Sequence, residues 1–383
     1  MIWNMFLKQK KITLPIPLVK IKKELKKNSK NNYEKHRITE KEKLLIHQIK
    51  MQTKNLNVNN VTRTKAYLAF YQRHPEIHWA FLGHMVSRNG GWNMTDLKGS
   101  LLSRLLTMKE STSFFTFLER GNWLIFQDAY PQFLLYEESL KNRQNLFHLL
   151  PYFHVSIFMN TIWSHFFLNP DPYILTVALI INEQSYLELR VIDNPAFKKT
   201  IFNTLEFKLQ DLLSMNQILF PYIEKGKLKL IGETLHHFES LHKRILLGKR
   251  LYSILFNEPN RLKMLEQWAY AIPHTGSRKD YWPHIFNDVD ESVPWKELKP
   301  RLKSCRLTSP ATRFYSPKLE FAWKNHEHAN PEVMDWYKDW QVIYYLIHSG
   351  ENELGEIENE YCQTLENIEL ATIAKKAILK FDS

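Results

Sequence analysis

Along most of the chain apolar residues recur every third or fourth position, the spacing of amphipathic helices, and no stretch sustains the strict alternation of a half-buried strand. TEKEKLLIHQIKMQ offers Thr39 as an N-cap ahead of Leu44, Leu45 and Ile49. NNVTRTKAYLAFYQRH follows, with Asn60 or Thr62 as the cap. PEIHWAFLGHMVSR then predicts a helix opened by Pro75 and ended by Gly90 and Gly91, and TDLKGSLLSRLLT a new one after Thr95. The same spacing predicts helices over 110–118, 122–140 with a break at Pro131, 151–167, 173–193, 205–217, 232–256, 261–271, 317–327, 331–348 and 356–379. Only KGKLKLIG, Lys225 to Gly232, reads as a strand. The expected fold is all-α. A large, bundle-like multi-helix domain at 39–272 is followed by a Pro-rich elaborated loop at 273–316 and by C-terminal helices at 317–383 packed on that domain, all behind a basic arm at 1–38.

Charge changes this picture mainly at the N-terminus. The formal net charge is +12, but residues 1–54 hold 15 Lys/Arg against 4 Asp/Glu, whereas the remainder holds 37 against 36. The folded part is thus nearly neutral, which argues against a broad nucleic-acid face. Within the arm an aromatic and aliphatic cluster, Ile2 to Leu7, precedes a helical stripe of Leu18, Ile21 and Leu25 set among five lysines. That pattern suits either a solvated tail or attachment to an anionic membrane surface through residues 1–38. Between Arg143 and Glu183 the only charge is Asp171, yet LLPYFHVSIFMNTIWSHFFL carries Pro151, His154, Asn160 and His165. A buried central helix is expected there instead of a membrane span, with His148, His154 and His165 as core histidines. Cys305 and Cys362 are too few for a disulfide framework or a four-cysteine zinc site, so a reducing, cytoplasmic setting is expected, with no metal and no cofactor.

NNVTRTKAYLAFYQRHPEIHWAFLGHMVSRNGGWNMTDLKGSLL, followed by LFHLLPYFHVSIFM, VALIINEQSYLE, LHKRILLGKRLYSILF and PHTGSRKDYWPHIFNDV, resembles an uncharacterised family of Bacillus-type bacteria, a domain of unknown function. The resemblance spans about Thr39 to Ser349. It implies no activity, cofactor or catalytic residue.

Three constellations could carry chemistry. His84, Arg88, Asn89, Trp92 and Asp96, around Gly90 and Gly91, read as a corner between two helices where Arg88 and backbone N–H groups could hold an anion, or where Arg88 could pair with Asp96 and simply turn the chain. His74 and His78 are excluded as a helical metal pair because Pro75 falls between them. PHTGSRKDYWPHIFNDVD brings His274, Arg278, Lys279, Asp280 and His284 close in sequence, in no named metal or phosphate pattern. Glu233 with His236, and Glu239 with His242, repeat the Glu-x-x-His unit on one expected helix, where the two units face different ways. No nucleophile elbow or activated cysteine is evident. Two functional readings follow: a non-enzymatic interaction or scaffold protein with an unknown protein partner, or an enzyme or binding protein for an anionic small molecule that uses both the Arg88 corner and the His274 to His284 loop. Convergence of those two segments on one cavity favours the second.

Overall fold

A computed structural model of the chain describes residues 14–28, 38–197, 217–236, 238–291, 299–348 and 355–381. The protein is mostly helical, with small sheets added. Helix α1 (Ile16–Asn28) belongs to the basic arm, and its stripe of Leu18, Ile21 and Leu25 is buried where it packs on α7 (Ile157–Leu168). Its lysines face outward except for Lys22 and Lys26, which lie over the Trp340 ring at 4.1 and 4.4 Å. Those three apolar side chains therefore pack on protein and are not offered to a bilayer. The aromatic cluster from Ile2 to Leu7 lies outside the described residues.

Helix α2 (Glu40–Leu56) begins as expected, with Thr39 and Glu42 forming a capping box. Helix α3 (Asn60–Arg73) is capped by Asn59 and not by Asn60 or Thr62 as expected, because the Asn59 side chain accepts from the Thr62 backbone N–H. Pro75 opens no helix. It lies in a turn, and α4 runs from His78 to Asp96, straight through Gly90 and Gly91. The glycines do not stop α4 because packing sets their role: a Cβ on Gly91 would come within 2.3 Å of His274 Nε2 and 2.4 Å of Asn60 Oδ1. Gly91 is there for close approach, not for a turn.

A short helix α5 (Leu102–Leu105) leads into α6 (Met108–Asn142), which passes Pro131 without a break although proline in a helix interior costs about 3 kcal/mol. Burial outweighs that cost. Phe126, Tyr130, Phe133 and Leu134 are buried around Pro131, and Arg63 and Glu119 form a buried ion pair of 2.5 Å between α3 and α6. The apolar run once comparable to a membrane span is split by a 3-10 turn (Phe147–Phe153) and a left-handed His154, and α7 is only 12 residues long. Among the described residues no helix is long and apolar enough to cross a membrane. His154 is exposed and His165 half-buried, so neither is the core histidine expected, while His148 reaches Glu42 at 2.7 Å. Helix α8 (Pro172–Leu187), capped by Asp171, is buried among α4, α6, α7 and α9 (Leu241–Phe256).

The expected strand has a partner that the helical spacing hid. Strands β1 (Gln217–Glu224) and β2 (Lys227–Thr234) form an antiparallel hairpin around Lys225 and Gly226, both at positive φ (49° and 73°), the geometry that suits a two-residue hairpin turn. Gln217 thus opens a strand and does not end a helix; residues 205–216 lie outside the described residues. Helix α10 (Pro259–Ala271) packs on β1. The Pro-rich segment is ordered by two-residue pairings, β3 (Phe286–Asn287) with β6 (Phe314–Tyr315) and β4 (Leu302–Lys303) with β5 (Arg306–Leu307). The helix expected at 317–327 shrinks to α11 (Leu319–Ala322), that at 331–348 to a 3-10 turn (Trp340–Leu346), and α12 (Glu358–Phe381) closes the chain. Cys305 and Cys362 form a disulfide that ties the β4–β5 hairpin to α12, Cα to Cα 5.4 Å. This corrects the expectation of unpaired thiols and removes the cysteines as an argument for a reducing compartment.

Two glycines in helices should respond oppositely to substitution by alanine. Gly91→Ala is expected to destabilise by several kcal/mol, since its methyl must displace the His274–Asn60 contact. Gly121→Ala, which meets nothing within 4 Å, is expected to gain up to about 1 kcal/mol of helix propensity. Urea unfolding of the two variants decides this; a neutral Gly91→Ala would contradict the packing.

Candidate functional site

Because α4 is continuous, His84, Arg88, Trp92 and Asp96 fall four residues apart and form one ridge instead of a corner. The ridge faces the loop that follows α10. The two sequence constellations do converge, and most of their residues are locked in a buried network.

Arg88 is fully buried. It donates to the carbonyls of Ile272 (2.8 Å) and Pro273 (3.4 Å), lies 4.0 Å from Asp280 and stacks 4.2 Å over the Trp268 ring. Asp280 also accepts from the Thr275 backbone (2.9 Å) and hydroxyl (2.6 Å) and from Trp92 Nε1 (3.4 Å). Burial pushes the Asp280 carboxyl up, but His274, Arg88 and Thr275 together bring it below its ordinary value. Asn60 donates its amide to Ser87 O, so its Oδ1 accepts from His274 Nε2 at 2.8 Å, which turns His274 Nδ1 toward Asp280 Oδ2 at 3.4 Å. His84 donates through Nδ1 to Thr64 O (2.9 Å), and its Nε2 has no partner among the described residues. Burial, reinforced by Arg88, holds the His84 imidazole neutral, well below its usual range. Asn89 does something different: its amide pairs with both the N–H and the C=O of Leu219 at 2.8 Å, fixing β1 to α4.

One helical turn further along α4, Asp96 meets Arg278. Nε of Arg278 donates to both carboxylate oxygens (3.0 and 2.8 Å), its NH1 to the hydroxyls of Tyr281 (2.6 Å) and Tyr361 (2.9 Å), and its NH2 faces Asp96 (2.7 Å) and Asn93 (3.2 Å). All five N–H groups are thus engaged. Arg278, a candidate in the sequence for an anion site, therefore has its charge and donors matched within the protein. Lys279 points away and pairs with Asp288 at 2.5 Å, and His284 is exposed, so these two do not join the cluster. Nor do the Glu-x-x-His units share a helix as expected. Glu233 lies in β2 and faces Arg250, while His242 lies in α9 and meets the Tyr345 hydroxyl at 2.6 Å. Among the described residues no three His, Cys, Asp or Glu side chains are gathered to hold a metal ion.

What the ridge borders is a cavity of about 450 Å³. Asn93, Asp96 and Arg278 lie at one end with Gln217 and Tyr361, while Leu97, Leu101, Leu102, Leu105, Phe114, Leu365 and Ile368 supply apolar wall. Lys375 also lines it and donates to Leu105 O at 2.7 Å. The lining of α12 was missed as a site in the sequence, although the helical spacing that predicts a helix over 356–379 runs through Ile357, Tyr361, Leu365 and Ile368. Gln217 and Lys375 had no signal at all, because nothing local marks a residue that faces a cavity assembled from distant segments.

The fold so defined is a helical body in which a buried ionic network borders one mostly apolar chamber. The chain belongs to the family described as Protein of unknown function (DUF2515), which matches residues 55–362. A Bacillus subtilis (strain 168) relative, Uncharacterized protein YppC, is 40% identical over 301 residues, covering 76% of this chain and 91% of that one. No solved structure matches the chain.

Removing one partner of a buried, hydrogen-bonded charge pair is costly, so Arg278→Met is expected to destabilise by about 3–5 kcal/mol. Lys279→Met, in a more exposed pair, should cost under about 1 kcal/mol. Thermal or urea unfolding that ranks them equally would contradict the assignment. A second expectation concerns pH. His84 is neutral in the fold and takes up a proton more readily when unfolded, so its contribution is complete above about pH 6.5 and declines as pH falls below that. His84→Asn, which keeps a donor for Thr64 O but does not titrate, should lose less stability than the parent between neutral and mildly acidic pH; identical slopes would refute this.

Proposed function

We propose that this protein binds a small amphipathic molecule in the chamber between α4, α5, α6 and α12. The observation that carries the reading is the chamber itself: it has the size of a ligand pocket, a largely apolar wall and a few polar groups gathered at its ends. Its support is stronger than that for a scaffold role, because the feature on offer is an internal cavity and not an exposed apolar face. The network of Arg88, His274 and Asp280 serves on this reading as a rigid support. None of the three lines the chamber, so on this reading the molecule is bound beside the network and not by it.

Anilinonaphthalene sulfonate, a fluorescent amphiphile, provides the test. The folded protein is expected to bind it with one saturable site. Ala371→Phe and Leu101→Trp, which add volume from opposite walls of the chamber, should each weaken that site at least tenfold while leaving the unfolding midpoint close to the parent. Unchanged probe binding in both folded variants would overturn the assignment.

A further inference from the structure

The two ends of the chamber differ in what they lack. Gln217 is 5% exposed, and its Nε2 is held by Glu360 at 3.0 Å in the first turn of α12, but its Oε1 is buried with no hydrogen-bond partner among the described residues. A buried acceptor left without a donor costs about 1–3 kcal/mol. Neighbouring Arg278 cannot satisfy it, since all five of its N–H groups face Asp96, Asn93, Tyr281 and Tyr361. Asp96 adds further acceptor capacity at the same end, with its charge balanced by Arg278. This end therefore asks for a neutral hydrogen-bond donor and offers nothing for an anion.

The far end has the opposite character. Lys375 lies fifteen residues beyond Glu360 on the same helix, about 22 Å along its axis. Its ammonium donates to Leu105 O, and no carboxylate lies within ion-pair distance of it among the described residues. An ammonium has three donors, so two remain for an anionic group. Between the ends, Leu101, Leu105, Phe114, Leu365 and Ile368 provide only apolar contact.

Resting on the binding function proposed above, we infer that the ligand is a long, unbranched amphiphile carrying an acid at one end and a hydroxyl at the other, of the ω-hydroxy fatty acid class. The acid sits against Lys375, the chain crosses the apolar middle and the hydroxyl donates to Gln217 Oε1. No bond is made or broken in this scheme. Discrimination is expected to come mainly from the hydroxyl, because a site holding a buried unpaired acceptor disfavours an otherwise equal molecule that leaves it unpaired.

Displacement of anilinonaphthalene sulfonate from the full chain by ω-hydroxyhexadecanoate, hexadecanoate, hexadecanol and the shorter ω-hydroxyoctanoate tests this. The long hydroxy acid is expected to bind about tenfold or more tightly than hexadecanoate, the worth of one buried hydrogen bond. ω-Hydroxyoctanoate, too short to reach both ends, should bind far more weakly. Lys375→Met is expected to weaken both long acids about tenfold, as for the loss of one charge-assisted hydrogen bond, and to leave hexadecanol unchanged. Gln217→Met should abolish the preference for the hydroxy acid over hexadecanoate. Because Gln217 is buried, the parent's ranking of the four compounds is decisive even where that variant does not fold. If the probe binds the chamber but all long compounds displace it equally, the ligand class is wrong while the chamber stands as a binding site. If the probe itself does not bind there, both inferences fall.

Discussion

The Asp280 carboxylate, buried between Arg88, His274, Trp92 and Thr275, is the contact on which the rest of this structure depends. A lone ionised carboxylate in such surroundings is untenable, and a lone guanidinium no less so. Each is made tolerable by the other and by backbone groups: the carbonyls of Ile272 and Pro273 accept from Arg88, and the Thr275 N–H donates to Asp280. The partners come from four places: Arg88 and Trp92 from α4, Asn60 from α3, the carbonyls of Ile272 and Pro273 from the end of α10, and Thr275 from the loop itself. Satisfying one charge therefore fixes the loop's path across two helices. Gly91 is the steric counterpart, since only a residue without a side chain lets His274 reach Asn60 across α4.

Once the loop is fixed, the next turn follows from the same helix. Asp96 stands one helical turn after Trp92, and Arg278 stands two residues before Asp280, so the second ion pair is brought into register by the first. Arg278 then reaches Tyr361 and so brings the closing helix to the body. The chamber is the space left where α4 ends, the chain turns through α5 into α6, and α12 is held off by this row of paired groups. It is apolar because the leucines of the α5 turn and the stripe of α12 face it. Its polar ends are set by residues whose first duties are structural: Gln217 opens β1 and Lys375 caps the contact with Leu105 O.

Much of this was legible in the sequence. The Thr39 cap, the predominance of helix and the closing helix with Ile357, Tyr361, Leu365 and Ile368 all rest on local spacing; residue chemistry singled out His84, Arg88, Trp92 and Asp96 and, separately, His274, Arg278 and Asp280, but left open whether the two groups meet. The errors share one cause, local signals overruled by distant packing. Gly90, Gly91 and Pro131 carry the marks of helix breaks, and in each case side chains from elsewhere hold the helix continuous. Reading a corner at Gly91 made Arg88 an anion-binding group at a helix end. In the continuous helix it becomes a buried brace. Cys305 and Cys362, 57 residues apart, give no sign in the sequence that β4–β5 and α12 meet.

The attachments of α12 are unequal along its length, and this bears on how the chamber is entered. Its first half is held by the Gln217 and Thr234 contacts to Glu360, by the disulfide at Cys362 and by Arg278 to Tyr361. Midway, Glu369 accepts from the backbone of Arg301 and Leu302 and from the Arg301 guanidinium. Beyond that point the polar tie to the body among the described residues is the single hydrogen bond from Lys375 to Leu105 O. Local opening begins where the fewest contacts must be broken, so the end near Lys375 opens at lower free energy than the end near Gln217. A molecule entering there loses its apolar hydration progressively and brings its far group to the fixed end last. On the binding reading proposed above, the firmly built end would be the one that selects, and the loosely held end the one that admits.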